Sequence, residues 1–263
     1  MAGFQAIGVV LRDEDQPFPI EQMRAIFDRV GVRMHVVDHE PLPPKLDLIV
    51  AMGGDGTVLR ALDEFPEHPV LAINYGTVGF LTAGDRDDLE SILTQVLSGN
   101  FQRSERLILC CEYDGRIAHA VNEVLVRSTL RMISVDVFVN DAKIRTIRGD
   151  GVIVGTPTGS TGYLLSTGAP LVMPDVNCFI LDGINEYNFS SRALILSPES
   201  RIRLRMARVD PGQEAHLIVD GKSLGRLDEG VELNLSRSPR RAQLIFLDRN
   251  YFFHNLASRL RWQ

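Results

Sequence analysis

Cysteine is scarce: three in 263 residues, at positions 110, 111 and 178, an odd number without the CxxC spacing of a zinc or redox pair. A disulfide framework and a zinc site are thereby excluded, and a reducing compartment, the cytoplasm, is the expected location. No apolar run approaches the length of a membrane span, and residues 1–18 lack the basic start, apolar core and small-residue cleavage pattern of a leader. Positive charge is not in excess either; a formal net charge of −6 argues against nucleic acid or an anionic membrane as a general partner. Internal repeats and low-complexity segments are absent. What remains, 44% hydrophobic and 24% charged residues, is an ordinary folded composition with room for one large or two modest domains and a small-molecule partner.

The stretch Leu46–Thr57, LDLIVAMGGDGT, is an apolar run that breaks into Gly53, Gly54, Asp55, Gly56 and Thr57. Such a run fits a strand buried on both faces, with the glycines turning the backbone at its carboxyl end, where open α/β sheets bind ligands. Glycines let a phosphate approach backbone N–H groups, and the residues after Thr57 can open a helix whose N-terminus favours an anion. Asp55 breaks the pattern: a carboxylate among phosphate-binding amides repels the ligand unless it holds a cation or accepts a proton. It is the candidate catalytic residue.

Around this loop the pattern alternates. Residues 5–11 read as a strand and 20–30 as a helix with Ile20, Met23, Phe27 and Val30 on one face and Gly31 as its stop. Arg33–Val37, the Leu46 strand and Val70–Asn74 follow, then a helix over 86–97 closed by Gly99. This predicts a mainly parallel, doubly wound α/β domain over residues 1–100. Beyond it come closely spaced strands with Asp114-Gly115, Asn140-Asp141 and Asp220-Gly221 hairpin turns. Strands are expected at 107–113, 117–127, 133–139, 143–148, 152–155, 178–181, 193–196, 201–206, 215–219, 231–236 and 243–247, an all-β sandwich. Residues 249–261 carry Phe252, Phe253, Leu256 and Leu260 at helical spacing.

A second constellation lies in the β half. From Gly149 to Ser166, Thr156, Thr158, Ser160, Thr161 and Ser166 supply hydroxyls, Gly155, Gly159 and Gly162 admit a ligand to the backbone, and Pro157 limits the loop's freedom. Tyr163 can stack on a flat ring. Upstream, Asn122-Glu123 interrupts an apolar strand; a carboxylate accepts from vicinal hydroxyls while an amide both donates and accepts, a pairing suited to ribose and base. The plainer alternative turns Glu123 to water and Asn122 to a neighbouring backbone. Other signals carry less. Lys222-Ser223 lacks the upstream glycine of a Walker loop. His35 and His39 sit on a strand running into a turn, not on a metal-binding helix. Arg201, Arg203 and Arg205 alternate along a strand as a solvated face.

Together, GGDGT at 53–57, NYGTVGFL at 74–81, NEV at 122–124 and GDGVIVGTPTGSTGYLLSTGAPLV at 149–172 resemble the NAD kinases. The resemblance implies an α/β domain over 1–100, a β-sandwich NAD-binding domain over 101–247, and a 248–263 segment packing back on the first. It implies a homo-oligomer, dimer or tetramer, with sites near subunit contacts and in the crevice between domains. The reaction it implies is transfer of a phosphoryl group from ATP to the 2′-hydroxyl of the adenosine ribose of NAD, with a divalent metal, Mg²⁺. Carried over, Asp55 accepts or orients the hydroxyl proton. Gly53, Gly54, Gly56, Thr57 and Arg60 face phosphates, although Arg60 reads equally as a solvated helix residue. Asn122 and Glu123 bind adenosine, Arg148 and Asp150 flank the dinucleotide, and Thr161, Gly162, Tyr163 and Ser166 lie on the adenine side, with glycine at 162 where alanine is usual. Asn185 joins the NAD-binding group. No metal-ligating residue is assigned.

Departures from the family pattern fall at 183–193, where a CPHSLS-like segment is usual, at Ala72 and Val78, and at Lys222 in place of glutamine after Asp220-Gly221. They leave open the phosphate donor, the choice between NAD and NADH, and regulation. Two rival readings remain on the residues: a lipid or sphingoid kinase sharing the glycine loop, and a non-catalytic dinucleotide-binding regulator.

Overall fold

The computed structural model describes residues 3–12, 17–76, 79–188, 191–209 and 214–261. Thr77 and Val78 of the NYGTVGFL stretch, and Phe189 and Ser190 of the 183–193 segment, lie outside the described residues. By contacts the chain forms two units, residues 1–105 with 242–263, and residues 106–241. No described helix is long and apolar enough to cross a membrane.

In the first unit, β1 (Ala6–Leu11), β2 (Arg33–Val36), β3 (Leu48–Gly53) and β4 (Val70–Asn74) pair in parallel in the order β2-β1-β3-β4, with β5 (Gly84–Asp85) also on β4. Every residue of β3 and β4 is buried, which is why these strands read as continuous apolar runs. Helices α1 (Ile20–Asp28), α2 (Asp55–Glu64) and α3 (Leu89–Leu97) connect them. Met23 and Phe27 of α1 and Leu89, Ile92, Leu93 and Val96 of α3 share a core with Ile7, Val9, Val50 and Ile73, whereas α2 packs on β3 and β4 outside that cluster. Val30 departs from the expected face. The helix ends at Asp28, Gly31 turns the chain at φ +73°, and Val30 is left exposed.

The second unit is a sandwich. The strands are β6 (Gln102–Tyr113), β7 (Arg116–Ala120), β8 (Glu123–Ser128), β9 (Ile133–Val139), β10 (Ala142–Gly149), β11 (Gly151–Gly155), β12 (Phe179–Ile184), β13 (Leu194–Leu196), β14 (Ile202–Arg208), β15 (Ala215–Val219), β16 (Lys222–Leu227) and β17 (Glu232–Phe246). One sheet runs β13-β12-β11-β8-β15-β16, and β10-β9-β14-β17 forms an antiparallel ladder opposite. Val124, Val126, Val152, Val154 and Leu217 of the first interleave with Val135, Val137, Leu204 and Leu233 of the second. Asp114-Gly115, Asn140-Asp141 and Asp220-Gly221 all take positive φ at both residues, as two-residue hairpins require.

Three strand assignments change. The span 117–127 is two strands broken at Val121-Asn122, because the Asp220 carboxylate takes the backbone N–H groups there. The runs 231–236 and 243–247 are one strand, which continues through Pro239. Strand β16 lacks an alternating pattern and pairs with β15 through a bulge, with Gly225 at φ +134°. The arginine stripe is also not simply solvated. Arg203 lies 3.9 Å over the Phe138 ring and pairs with Glu232, and Arg205 meets the buried Asp136 at 2.6 Å. In the first unit Leu244 and Ile245 of β17 pair in parallel with Val70 and Leu71 of β4, and α5 (Tyr251–Leu260) buries Phe252 and Leu256 while Phe253, one residue round the helix, stays half exposed.

Candidate active site

The glycine loop is shaped by contacts at Gly53. A Cβ there would come within 2.2 Å of the buried Thr57 hydroxyl, so only glycine allows strand β3 to turn directly into α2. The sequence places the helix after Thr57, but it begins at Asp55 with Gly54 as its cap, so Asp55, Gly56 and Thr57 form the first turn. A carboxylate there is favoured by the helix dipole. At Gly54 and Gly56 an added Cβ would meet nothing within 4 Å; these two leave the backbone open to a ligand.

Asp55 is held by groups 25 and 26 residues away: Phe80 donates its backbone N–H to Oδ2 and Leu81 donates to Oδ1, each at 3.0 Å. A Cβ on Gly79 would lie 2.0 Å from Oδ1, so that glycine makes room for the carboxylate. Helix α5 steadies the same segment, since Asn255 Nδ2 donates to the carbonyls of Phe80 and Thr82, both at 3.4 Å. Each carboxylate oxygen keeps lone-pair capacity for another donor. Arg60 is turned elsewhere, to the Leu11 carbonyl and, at 3.9 Å, to Glu64. Asn74, opposite Gly53 in the β3–β4 register, is buried with Oδ1 unpartnered among the described residues, and the sequence marked it only as part of a motif.

In the second unit Asn122 and Glu123 stand at the break before β8. Glu123 is buried rather than turned to water, and Asn122 is half-buried. Asn122 Oδ1 and Glu123 Oε2 are buried without a hydrogen-bond partner among the described residues, so two acceptors pay for their desolvation with nothing in return. Burial, and next the charge of Asp220, push the Glu123 carboxyl up to about 7, although the Tyr163 backbone N–H donates to it. Gly162 sits over the pair: a Cβ there would be 3.2 Å from Glu123 Oε2 and 3.5 Å from Asn122 Nδ2.

The hydroxyl-rich loop folds as a 3₁₀ turn, Thr158–Thr161, followed by α4 (Tyr163–Thr167) against the outer face of the β8–β11–β12 sheet, with Leu164 packed on Leu125, Ile153 and Ile180. Most of its hydroxyls are not available to a ligand. Thr156 donates to the Val121 carbonyl and accepts from the Thr158 N–H, buried Ser160 donates to the Pro157 carbonyl, and Thr161 donates to the Thr158 carbonyl. Buried Thr158 meets the equally buried Arg106 guanidinium at 3.2 Å. Of the five, Ser166 is exposed, and it lines a cavity of about 550 Å³ with Tyr163, Asp182, Asn185, Glu186 and Ser191. Asn185, in the left-handed region at φ +45°, donates to Asp150 at 2.7 Å. Arg148 is exposed on β10 and meets this region through its carbonyl, which accepts the Tyr187 N–H at 2.8 Å.

Two features were not legible in the sequence. The 183–193 segment is tied to β10 by an ion pair: Ser191 donates to Glu186 Oε2 at 2.6 Å and accepts from Arg145 of β10, whose guanidinium lies 3.4 Å from the same carboxylate. Asp220, marked as a turn residue and as the first of the Asp-Gly-Gln pattern but given no role, anchors the Val121–Glu123 backbone. Among the described residues no group of three or more His, Cys, Asp or Glu side chains is arranged to hold a metal ion.

Residues 28–101 match the ATP-NAD kinase N-terminal domain, and residues 121–247 match the ATP-NAD kinase C-terminal domain. An NAD kinase of Saccharophagus degradans is 33% identical over 267 residues, covering 98% of this chain and 87% of that protein. One of Methanocorpusculum labreanum is 34% identical, covering 98% and 93%. A bifunctional NADP phosphatase/NAD kinase of Methanocaldococcus jannaschii is 34% identical over 95% of this chain, which spans 42% of that longer protein. Among solved structures, an NAD kinase from Archaeoglobus fulgidus in complex with ATP superposes with a TM-score of 0.80 at 28% identity, covering 98% and 99%. Yeast NADH kinase complexed with NADH superposes at 0.86 with 24% identity, covering 99% and 88%, a likeness of fold.

Proposed function

The chain belongs to the NAD kinase family, and from that premise we propose that it transfers the γ-phosphoryl group of ATP to the 2′-hydroxyl of the adenosine ribose of NAD, giving NADP and ADP, with Asp55 as the carboxylate that takes or orients the hydroxyl proton. The observation that carries this assignment is the placement of Asp55: it is fixed by the Phe80 and Leu81 N–H groups on the first turn of α2, between two glycines whose missing side chains leave the backbone open. Phosphoryl transfer asks little covalent chemistry of a protein beyond alignment, charge neutralisation and a partner for the attacking hydroxyl. A carboxylate already pinned by two amides stays in place when the ligand arrives. Gly53, Gly54, Gly56 and Thr57 form the phosphate loop.

The donor is read as Mg·ATP. Such a cation is held largely by the phosphates and water with one or two carboxylates, and Asp55 on the glycine loop is a carboxylate that fits it. Magnesium supplies charge neutralisation on the transferred group. Asn122 and Glu123 take the adenosine, their two unpartnered oxygens accepting from the amino group and the ribose hydroxyls. Tyr163 and Ser166 line the adenine side, and Asp150 with Asn185 the other end of the dinucleotide. Arg148, Thr161 and Gly162 complete that surface. Arg60 would have to leave the Leu11 carbonyl to reach a phosphate.

We also read the protein as a cytoplasmic homo-oligomer, dimer or tetramer. The free, buried Cys110, Cys111 and Cys178 suit a reducing compartment, and the exposed Leu130, Tyr187 and Ile195 suit association. The reaction is tested by incubating purified protein with NAD and Mg·ATP and reading the product with a dehydrogenase that accepts only the 2′-phosphorylated dinucleotide. Equimolar ADP and product support the assignment, whereas phosphorylation of a diacylglycerol or sphingoid base in place of NAD refutes it. The same plate with polyphosphate and NADH fixes donor and acceptor, and light scattering fixes the oligomer.

A further inference from the structure

Asp220 belongs to the β15–β16 turn, 97 to 99 residues from the groups it binds, and the reaction outlined above does not use it. Its carboxylate accepts three consecutive backbone N–H groups: Val121 to Oδ2 at 2.7 Å, and Asn122 and Glu123 to Oδ1 at 2.8 and 3.0 Å. Its own N–H donates to the Glu123 carbonyl at 3.1 Å. The turn supplies this geometry through left-handed Asp220 and Gly221, at φ +45° and +80°. On the opposite side the Asn122 carbonyl accepts the Thr156 N–H at 2.9 Å, and Gly155 and Gly159 pack so closely that an added Cβ would lie 3.0 and 2.3 Å from that oxygen. The 121–123 backbone is thus held from both sides at the place where a continuous strand would otherwise run.

We propose that Asp220 is a positioning residue for dinucleotide binding, holding the 121–123 backbone out of strand pairing so that Asn122 and Glu123 offer their buried oxygens to the adenosine. The proposal rests on the NAD kinase reading and adds to it a residue outside the ligand surface. Three N–H groups in a part-buried setting need an acceptor, and the Asp220 carboxylate serves all three. Without the carboxylate the break could close into a strand, and a one-residue slip would turn Asn122 and Glu123 to opposite faces.

The clamp also has a charge, and it stands beside the group that must accept from the ribose. Glu123 can accept from both vicinal hydroxyls only as the carboxylate, because the acid turns one of its oxygens into an O–H donor, and burial together with Asp220 places its titration near neutrality. The groups packed around it are few. Among the described residues, the β15–β16 turn gives Asp220, α4 gives the Tyr163 N–H, and Gly155 of β11 and Gly162 before α4 approach it without side chains; the Tyr163 ring itself lies 5.9 Å from the Arg127 guanidinium of β8. Dinucleotide affinity therefore strengthens as pH rises through about 7. Removing the Asp220 charge moves that inflection to lower pH, part of the way only, because burial is the larger cause.

The test is NAD affinity by calorimetry between pH 5.5 and 9 for the wild type, Asp220→Asn, Asp220→Ala and Glu123→Gln, with near-UV circular dichroism on each and Mg·ATP affinity as the control. Asparagine keeps an acceptor for the Asn122 and Glu123 N–H groups but loses the charge. We expect Asp220→Ala to bind NAD at least about tenfold more weakly, as for loss of charge-assisted hydrogen bonds. Asp220→Asn should lie between the two with its inflection displaced to lower pH, Glu123→Gln should show no inflection, and Mg·ATP affinity should be unchanged throughout. If Asp220→Ala does not fold, Asp220→Asn alone decides. An inflection in Asp220→Asn at the wild-type pH, or NAD affinity within twofold of wild type, overturns the role of Asp220 and leaves the kinase reading standing. A wild type that binds no NAD and makes no NADP overturns the kinase reading itself.

Discussion

Replacing Glu123 by glutamine should make the native protein more stable at alkaline pH, an unusual result for a residue read as binding substrate. The carboxyl rises from its ordinary 4.5 to about 7 in the native state, first because it is buried, then because Asp220 repels its charge, with the Tyr163 N–H working the other way. For an acid whose native value is raised, the folded protein keeps a proton that the unfolded chain gives up. Stability therefore falls as pH climbs from 4.5 to about 7, and the whole penalty is present above that range. At 1.36 kcal/mol for each tenfold change in proton affinity the penalty is about 3 kcal/mol, large beside the 5–15 kcal/mol typical of a domain. Glutamine does not titrate. Its buried amide, with two donors and an acceptor to satisfy, takes back about 1 kcal/mol. That cost is the same at every pH, so urea unfolding of both proteins at pH 5, 6, 7 and 8 should show Glu123→Gln gaining on wild type by about 2.5 kcal/mol between the ends of the series, the remainder of the penalty being present already at pH 5. A difference that stays constant from pH 5 to 8 refutes the reasoning, because no other change shared by the two proteins can cancel that titration.

Other consequences follow from single contacts. Gly79→Ala should lower kcat about 100-fold with the circular dichroism unchanged, because a Cβ 2.0 Å from Asp55 Oδ1 must push the carboxylate aside, and displacements near 1 Å cost that much. Asn255→Ala should give a smaller loss in kcat with the KM for NAD unaltered, since it frees the 80–82 segment that holds Asp55 and removes none of the side chains assigned to NAD. Asp136→Asn should destabilise the protein by about 2 kcal/mol in urea at pH 7. There, burial alone would raise the carboxyl, but Lys143, Thr146 and Arg205 outweigh it and hold it far below its ordinary 3.8. Its contribution is therefore present above pH 3.8 and lost only in strong acid, so the two proteins should converge as the pH falls below that range.

The fold was legible where one face of an element was apolar or a turn needed positive φ. Buried β3 and β4, the sandwich strands and the Asp-Gly and Asn-Asp hairpins carry those signals in a few adjacent residues. The single strand through Pro239 was not, because a proline reads as a break even where the ladder does not need its N–H. Within the candidate site, residue types were legible and their partners were not. Asp55 stood out as a carboxylate among glycines, but Phe80 and Leu81 hold it through backbone N–H groups that any residue would supply. Thr156 and Ser160 looked like ligand hydroxyls because a hydroxyl spent on a neighbouring carbonyl cannot be told in sequence from a free one. Glu186 and Ser191 pair with Arg145, more than 40 positions away, which no local pattern announces.

The central claim is that Asp55, fixed beside the glycine loop, serves the hydroxyl that attacks ATP. The most direct measurement is single-turnover NADP formation from NAD and Mg·ATP by wild type and Asp55→Asn, with NAD affinity measured on both. A fall of about 10²–10⁴-fold in the variant with NAD affinity retained is the predicted result. A variant that turns over at the wild-type rate, or a wild type that binds NAD and forms no NADP, contradicts it.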